Sequence, residues 1–332
     1  MKAIQFEQPG EPNTLQFCNW PTPTLNQDRD ILVQLRAAGV NPIDTKLRQR
    51  GTFYPEQMPA ILGCDGAGVV QAIGSAVQGF QVGDEVYFCN GGLGATPGTY
   101  CEYAVLDERF AAHKPKSLSF AAAAAAPLVL ITAWEALFDR GRLESGQTVL
   151  IQSGTGGVGH VAIQLAKLKG ATVLTTVSSA QKATVAKTWG ADATILYPNT
   201  DVVEATMTYT NGVGVDLSFD TVGGSVLSQC FSATRFYGDV VTLLGADSGT
   251  DWSTARTRNL RVSYELMLTP LLKGLTEAQI HQVDILRQCA KWFDAGQLHI
   301  DLTKTFPLEA AADAHQYLEA GSMQGKIALL IG

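Results

Sequence analysis

Apolar and polar positions alternate in two different textures along this chain. Through the first 120 residues, short apolar runs are broken by Gly and Pro, and they predict strands at Ile31–Ala37, Gly68–Ile73, Glu85–Phe88 and Cys101–Val105. Met1–Phe6 alternates in the same way, and turns such as Pro9-Gly10, Gln78-Gly79 and Val82-Gly83-Asp84 separate the runs. This part reads as β-rich. From Phe120 the texture changes: Phe120–Arg140 has helical periodicity, with Ala121–Ala126 as a helix interior, and strand-like and helix-like segments alternate afterwards. The predicted strands are Thr148–Gln152, Thr172–Val177, Ala193–Leu196, Val215–Phe219, Val240–Leu244 and Val262–Leu266. Six strands interleaved with helices predict a doubly wound parallel sheet in an α/β protein. Beyond Met267 come a helix near Glu277–Asp294, a strand near Lys304–Phe306, a helix near Leu308–Ala320 and a final strand Lys326–Ile331. The pattern predicts a domain at 123–266 inserted into a β-rich domain made of 1–122 and 267–332.

The strongest local signal is SGTGGVG, placed between the strand TVLIQ and the helical segment HVAIQLAK. Gly154, Gly156 and Gly159 have the G-x-G-x-x-G spacing of a dinucleotide-binding turn. The first glycine is expected to allow a tight turn, the second to let backbone approach a pyrophosphate, and the third to let helix and strand pack closely. Phosphates would sit on the amides of the helix N-terminus. The next strand should end beside the adenosine ribose, where NAD enzymes usually place an acid. This chain has no acid between Glu144 and Asp192; it offers Ser178, Ser179 and Lys182. Hydroxyls and an ammonium suit a 2′-phosphate, so NADPH is the expected cofactor. Ser-Ser-Ala-Gln-Lys also reads as a helix cap with a solvated lysine, and both readings can hold together.

Composition narrows the class. A chain of 332 residues exceeds one usual core, so two domains are expected. A formal net charge of −7 argues against broad binding to nucleic acid or anionic membranes. The apolar stretch Phe120–Ile131 is short and carries Pro127, so it is no membrane span. The six cysteines form no C-x-x-C pair, which fits reduced thiols in the cytoplasm. The five histidines form no ligand-spaced pair and receive no role.

Nearly end to end, the chain resembles the medium-chain dehydrogenase/reductase superfamily, and within it the zinc-independent quinone oxidoreductases (the zeta-crystallin-like branch). The resemblance is carried by AAGVNPIDTKLRQRG at 37–51, PAILGCDGAGVVQAIG at 59–74, VGDEV at 82–86, GTYCEYAV at 98–105, the SGTGGVGHVAIQLAK fingerprint, SSAQK at 178–182, GVDLSFDTVGG at 214–224 and GKIALLI at 325–331. It implies a Rossmann sheet inserted in a GroES-like catalytic domain. Zinc alcohol dehydrogenases of this superfamily hold a catalytic metal with Cys, His and Cys, backed by a Glu. The matching positions here are Asn41, Cys64 and Leu128, with Asp65 after Cys64, and one thiol does not make a zinc site. No metal is therefore expected.

Without a Lewis acid, hydride transfer needs an acceptor that spreads its own charge, such as a quinone or an α,β-unsaturated carbonyl. The resemblance implies two catalytic candidates. Tyr54 matches a cleft tyrosine able to hydrogen-bond a developing oxyanion; its alternative reading is an amphipathic aromatic on a loop. Asn41 is placed to bond the cofactor carboxamide or the substrate oxygen, or else it is a turn residue before Pro42. Asp44 reads as a helix cap for Thr45–Arg50. Cofactor contacts implied by the resemblance are Asn41, Thr132, Gly154, Gly156, Gly157 and Val158, then Ser178, Lys182 and Tyr197 at the adenosine phosphate, and Thr221 and Gly245 after later strands. Lys326 reads as a surface lysine, with the cleft as the alternative. Other functions compatible with these residues are an alcohol dehydrogenase with a degenerate metal site and a low-activity NADPH-binding protein of crystallin-like or RNA-binding type. A homodimer is expected through pairing of Val262–Leu266 with its own copy.

Overall fold

Alternation in the first half of the chain builds strands whose inward residues form one core. The computed structural model describes all 332 residues. Strand β1 (Lys2–Phe6) pairs antiparallel with β2 (Leu15–Asn19). Strand β3 (Asp30–Val40) buries Ile31, Val33, Leu35 and Ala37, every second residue, as a pleated strand requires. It leads into helix α1 (Pro42–Arg50), with Asn41 extended at the cap and Pro42 in the first turn, where its missing N–H costs nothing. Strands β4 (Ala60–Ile61), β5 (Asp65–Ile73), β6 (Glu85–Cys89), β7 (Tyr103–Asp107) and β8 (Ala112–His113) follow. Strand β4 joins β1 in a three-stranded sheet.

The predicted continuous helix over Phe120–Arg140 is broken. It consists of α2 (Phe120–Ala124), α3 (Pro127–Trp134) and a π-helical turn at Glu135–Arg140. Proline inside a helix removes a hydrogen bond and clashes with the preceding turn, so the helix restarts at Pro127. Helix α2 lies against β3 and β5, and Gly39 on β3 makes room for it: a Cβ there would sit 2.3 Å from the Ala124 carbonyl oxygen. By packing, the chain divides into Met1–Leu128 with Leu268–Gly332, and Val129–Met267. The first boundary thus falls after Leu128 rather than after residue 122, because α2 packs with the β-rich unit.

The second unit runs β9 (Thr148–Ile151), α4 (Gly157–Leu168), β10 (Thr172–Val177), α5 (Ala180–Thr188), β11 (Ala193–Leu196), α6 (Val202–Tyr209), β12 (Val215–Asp220), α7 (Ser225–Ala233), β13 (Thr234–Thr242), α8 (Trp252–Thr257) and β14 (Arg261–Tyr264). Its six strands are all parallel, in the order β11-β10-β9-β12-β13-β14. This is the doubly wound Rossmann arrangement, whose order reverses at β9 and β12, where ligands bind at the strand carboxyl ends. One side of the sheet packs Leu150, Leu174 and Val215 against Val202 and Ala233; Leu227, Phe231, Val240 and Ala255 form a second cluster. Strand β14 is an open edge that pairs only with β13.

The chain then returns to the first unit with α9 (Thr269–Lys273), α10 (Thr276–Asp294), β15 (Leu302–Pro307), α11 (Ala311–Glu319) and β16 (Lys326–Leu330). The predicted helix at Leu308–Ala320 starts as a tight 3-10 turn, Leu308–Ala310, before α11. Strand β16 pairs antiparallel with β3, giving the sheet order β15-β16-β3-β5-β6-β8, with β7 also on β3. Residues 326–330 and 37–41 thereby become neighbours. No helix is long and apolar enough to cross a membrane.

Candidate functional site

Within the parallel-sheet unit, the glycine-rich turn joins β9 to α4, with Gly156 at the helix cap and Gly157 and Val158 opening the helix. The three glycines serve different ends. A Cβ on Gly154 would lie 2.0 Å from Thr175 Oγ1, and one on Gly159 would lie 2.2 Å from the Ser153 carbonyl oxygen. Gly154 is therefore required by close approach to β10. The left-handed residue of the turn is Ser153, at φ 54°, and not the first glycine. Gly156 meets no protein atom closer than 3.2 Å. That contact, with the Ser153 carbonyl and hydroxyl oxygens, is tight but far looser than at the other two glycines, and the first amides of α4 have no carbonyl partner inside the helix.

Next to this turn is a cavity of about 530 Å³, lined among others by Gln152, Ser153, Thr176, Tyr197, Asp201 and Val222. Tyr197 is 52% exposed. Ser179 caps α5, its hydroxyl accepting from Lys182 N at 3.2 Å, so the capping reading holds for Ser179. Ser178 and the Lys182 side chain are half-buried at the same helix start. Thr221 Oγ1 donates to the Gln152 carbonyl at 2.9 Å, tying the ends of β12 and β9 together. Gly245 faces open space, and Thr132 on α3 is buried.

In the β-rich unit the structure corrects three expectations. Asn41 has no exposed surface, and its amide is fully engaged: Nδ2 donates to Asp65 Oδ2 at 2.9 Å, and Oδ1 accepts from Lys326 Nζ. An enclosed, committed amide does not touch a substrate or cofactor in this conformation. Lys326 is buried rather than superficial, and also donates to the Val40 carbonyl at 2.9 Å. Helix α1 starts at Pro42 and not at Thr45, so Asn41 holds the cap position expected of Asp44; Asp44 lies inside the first turn, accepting back from Asn41 N at 2.8 Å, and it also accepts from Tyr100 Oη at 3.1 Å. His315, given no role from sequence, lies behind Tyr100 with Nε2 at 3.2 Å from its phenol oxygen. Asp65 Oδ1 accepts from Leu128 N at 3.0 Å, at the start of α3. Tyr54 is half-buried on the loop after α1, and its hydroxyl donates to the Leu272 carbonyl at 3.2 Å.

Burial governs the protonation of this cluster. It raises Asp44 to about 7, helped by the nearby Asp65 charge and opposed by the hydrogen bonds from Asn41 and Tyr100. Burial raises Asp65 to about 6 against the pull of Lys326 and Asn41. It lowers Lys326, which both carboxylates pull back up. His315 falls to about 3, through burial and then the Arg48 charge, so it is neutral. Cys64, just before β5, interacts with Cys89 at the end of β6; burial and the carboxylates outweigh that hydrogen bond at Cys64 and leave its thiol raised. No three Cys, His, Asp or Glu side chains converge as a metal centre would need. The signal for this cluster was an acid inside the apolar run PAILGCDGAGVV and a lysine heading the apolar run KIALLI.

A parallel sheet with a glycine-rich G-x-G-x-x-G turn, inserted in a β-rich unit, is the architecture of a class of nicotinamide-linked oxidoreductases. Comparison with known proteins agrees. Residues 27–116 match the alcohol dehydrogenase GroES-like domain, and residues 189–329 match the zinc-binding dehydrogenase domain. The quinone oxidoreductase of Pseudomonas aeruginosa is 31% identical over 329 residues, covering 99% of both chains. An alcohol dehydrogenase superfamily protein from Novosphingobium aromaticivorans superposes with a TM-score of 0.91 at 35% identity, with both chains covered in full. The Escherichia coli quinone oxidoreductase, solved with NADPH, has a TM-score of 0.87 at 29% identity, again covering both chains in full. The chain belongs to the medium-chain dehydrogenase/reductase superfamily and has quinone oxidoreductases among its relatives.

Proposed function

We propose that this protein transfers hydride from NADPH to a quinone or an α,β-unsaturated carbonyl without a bound metal. One observation carries the reading: Asn41 stands where zinc relatives have their first ligand, and its amide is already spent on Asp65 and Lys326. With Leu128 at another ligand position, one thiol remains, too few for a catalytic zinc.

When bound, the cofactor supplies a hydride from its dihydronicotinamide ring. Gly157 and Val158 would hold its pyrophosphate on the amides opening α4, next to Gly156 at the cap. The 530 Å³ cavity would take the adenosine, with Ser178, Lys182 and Tyr197 on the 2′-phosphate. Thr221 and Gly245 border the path at the ends of later strands. Thr132 and Asn41, being buried, act as positioning residues and not as direct contacts. Tyr54 is the candidate donor to the substrate oxygen. Its proton now rests on a neutral carbonyl, and a developing oxyanion is a stronger acceptor that would draw it away. The acceptor delocalises its charge as a hydroquinone anion or an enolate, and a proton completes the reduction.

The test is turnover of a simple quinone, an enone, an alkenal and an acyl thioester with NADPH and with NADH. Reduction of a quinone or enone with NADPH is expected. Oxidation of simple alcohols with no activity on conjugated acceptors would overturn the proposal.

A further inference from the structure

Two carboxylates and one ammonium are enclosed together in the β-rich unit: Asp44 on α1, Asp65 on β5 and Lys326 on β16, all at most 2% exposed. Three ordinary ionic forms would leave an unbalanced negative charge in a medium that solvates it poorly. The hydrogen bonds divide the two acids. Asp65 has a donor on each oxygen, Leu128 N on Oδ1 and Asn41 Nδ2 on Oδ2, and Asn41 passes the Lys326 charge to it. Such a carboxylate is equipped to be an anion. Asp44 has both of its donors, Asn41 N and Tyr100 Oη, on Oδ2, while Oδ1 is buried with no partner. A bare anionic oxygen in that position is costly, and a protonated one far less so.

We propose that the folded protein stores one proton on Asp44 Oδ1, with Asp65 ionised and linked through Asn41 to a charged Lys326, and that the fold loses stability when that proton leaves. This inference rests on the buried cluster alone and stands whatever the enzyme reduces. The other groups facing Asp44 do not supply the missing charge. Tyr100, from the segment before β7, is neutral, as burial raises it well above its usual value. His315, on α11, is neutral, and as Tyr100 donates its proton to Asp44, Nε2–H of His315 is the donor to the phenol. Cys64 and Cys89, toward β6, are protonated thiols. Arg48, one turn along α1, is engaged by Glu319 of α11 and the Gly10 carbonyl.

The sign of the pH effect follows. Asp44 binds its proton more tightly folded, at about 7, than unfolded, near 3.8. Its contribution is therefore full below about 4 and is lost as pH rises through 7. Asp65, raised to about 6, acts in the same direction, and the two carboxylates titrate as a pair.

Infrared spectra of the wild-type protein in heavy water should show a protonated-carboxyl band at pH 6 that disappears by pH 8.5. Asp44→Asn, which keeps an acceptor for Asn41 N without the charge, should lose the larger part of that band, the remainder belonging to Asp65, raised to about 6. It should also melt higher relative to wild type at pH 8 than at pH 5. Absence of the band from wild-type protein at pH 6 would overturn the proposal without recourse to any variant. Survival of the band at full strength in folded Asp44→Asn would move the proton to Asp65 and overturn the assignment.

Discussion

In the proposed reaction, cofactor choice rests on Lys182 and proton delivery on Tyr54. Lys182 opens α5 at the end of β10, where no carboxylate waits for a ribose hydroxyl. Lys182→Ala should weaken NADPH binding by about 1.5–3 kcal/mol, the range for a charge-assisted hydrogen bond, and leave NADH binding nearly unchanged. Titration of both cofactors against both proteins decides it, and an equal loss for both would remove the 2′-phosphate role. Tyr54→Phe should slow an enone, which needs protonation, by roughly 10- to 150-fold and a quinone less. Because the tyrosine also holds the Leu272 carbonyl, the variant should lose about 0.5–1.5 kcal/mol of stability. Small, equal kinetic effects on both acceptors would reduce Tyr54 to a wall of the site. Lys182 and Tyr54 could both be singled out from sequence because they sit inside local motifs. Lys326 could not, as its partners Val40 and Asn41 are 286 and 285 residues away, and only the β16–β3 pairing brings them together.

At the scale of elements, the glycine-rich turn separates folding from binding. Gly159→Ala drives a Cβ to 2.2 Å from the Ser153 carbonyl and should cost about 1–3 kcal/mol in a denaturant melt. Gly156→Ala brings a Cβ to 3.2 Å from Ser153, a contact relieved by a shift of a few tenths of an ångström, so it should cost less stability than Gly159→Ala yet bind cofactor more weakly. Equal stability losses in the two variants would show that Gly156, like Gly159, is needed for packing. Strand periodicity and the G-x-G-x-x-G spacing made the parallel sheet readable before any coordinates, down to Thr172–Val177 and Ala193–Leu196. Periodicity could not show where α2 would dock. Its alanines look alike to any neighbour, and contact with Gly39 on β3 decides the matter. Nor does a pattern reveal that Ser153, and not Gly154, takes the left-handed turn position.

For the whole molecule, the open edge at β14 motivates a dimer. Tyr264 is 53% exposed there and the strand has no second neighbour, so pairing with a copy of itself would satisfy its free backbone groups. Light scattering at micromolar concentration should give twice the chain mass, and a monomer would exclude this arrangement. The proposed chemistry is what most needs testing: in a superfamily better known for zinc sites, this chain has a polar cluster around Asn41 where a ligand would stand, and the reaction proposed for it needs no metal. Its most direct test is NADPH oxidation by a simple quinone, measured on protein dialysed exhaustively against a chelator. Turnover should match that of untreated protein, with NADPH favoured over NADH. Loss of activity on dialysis, restored by added zinc, would contradict the account.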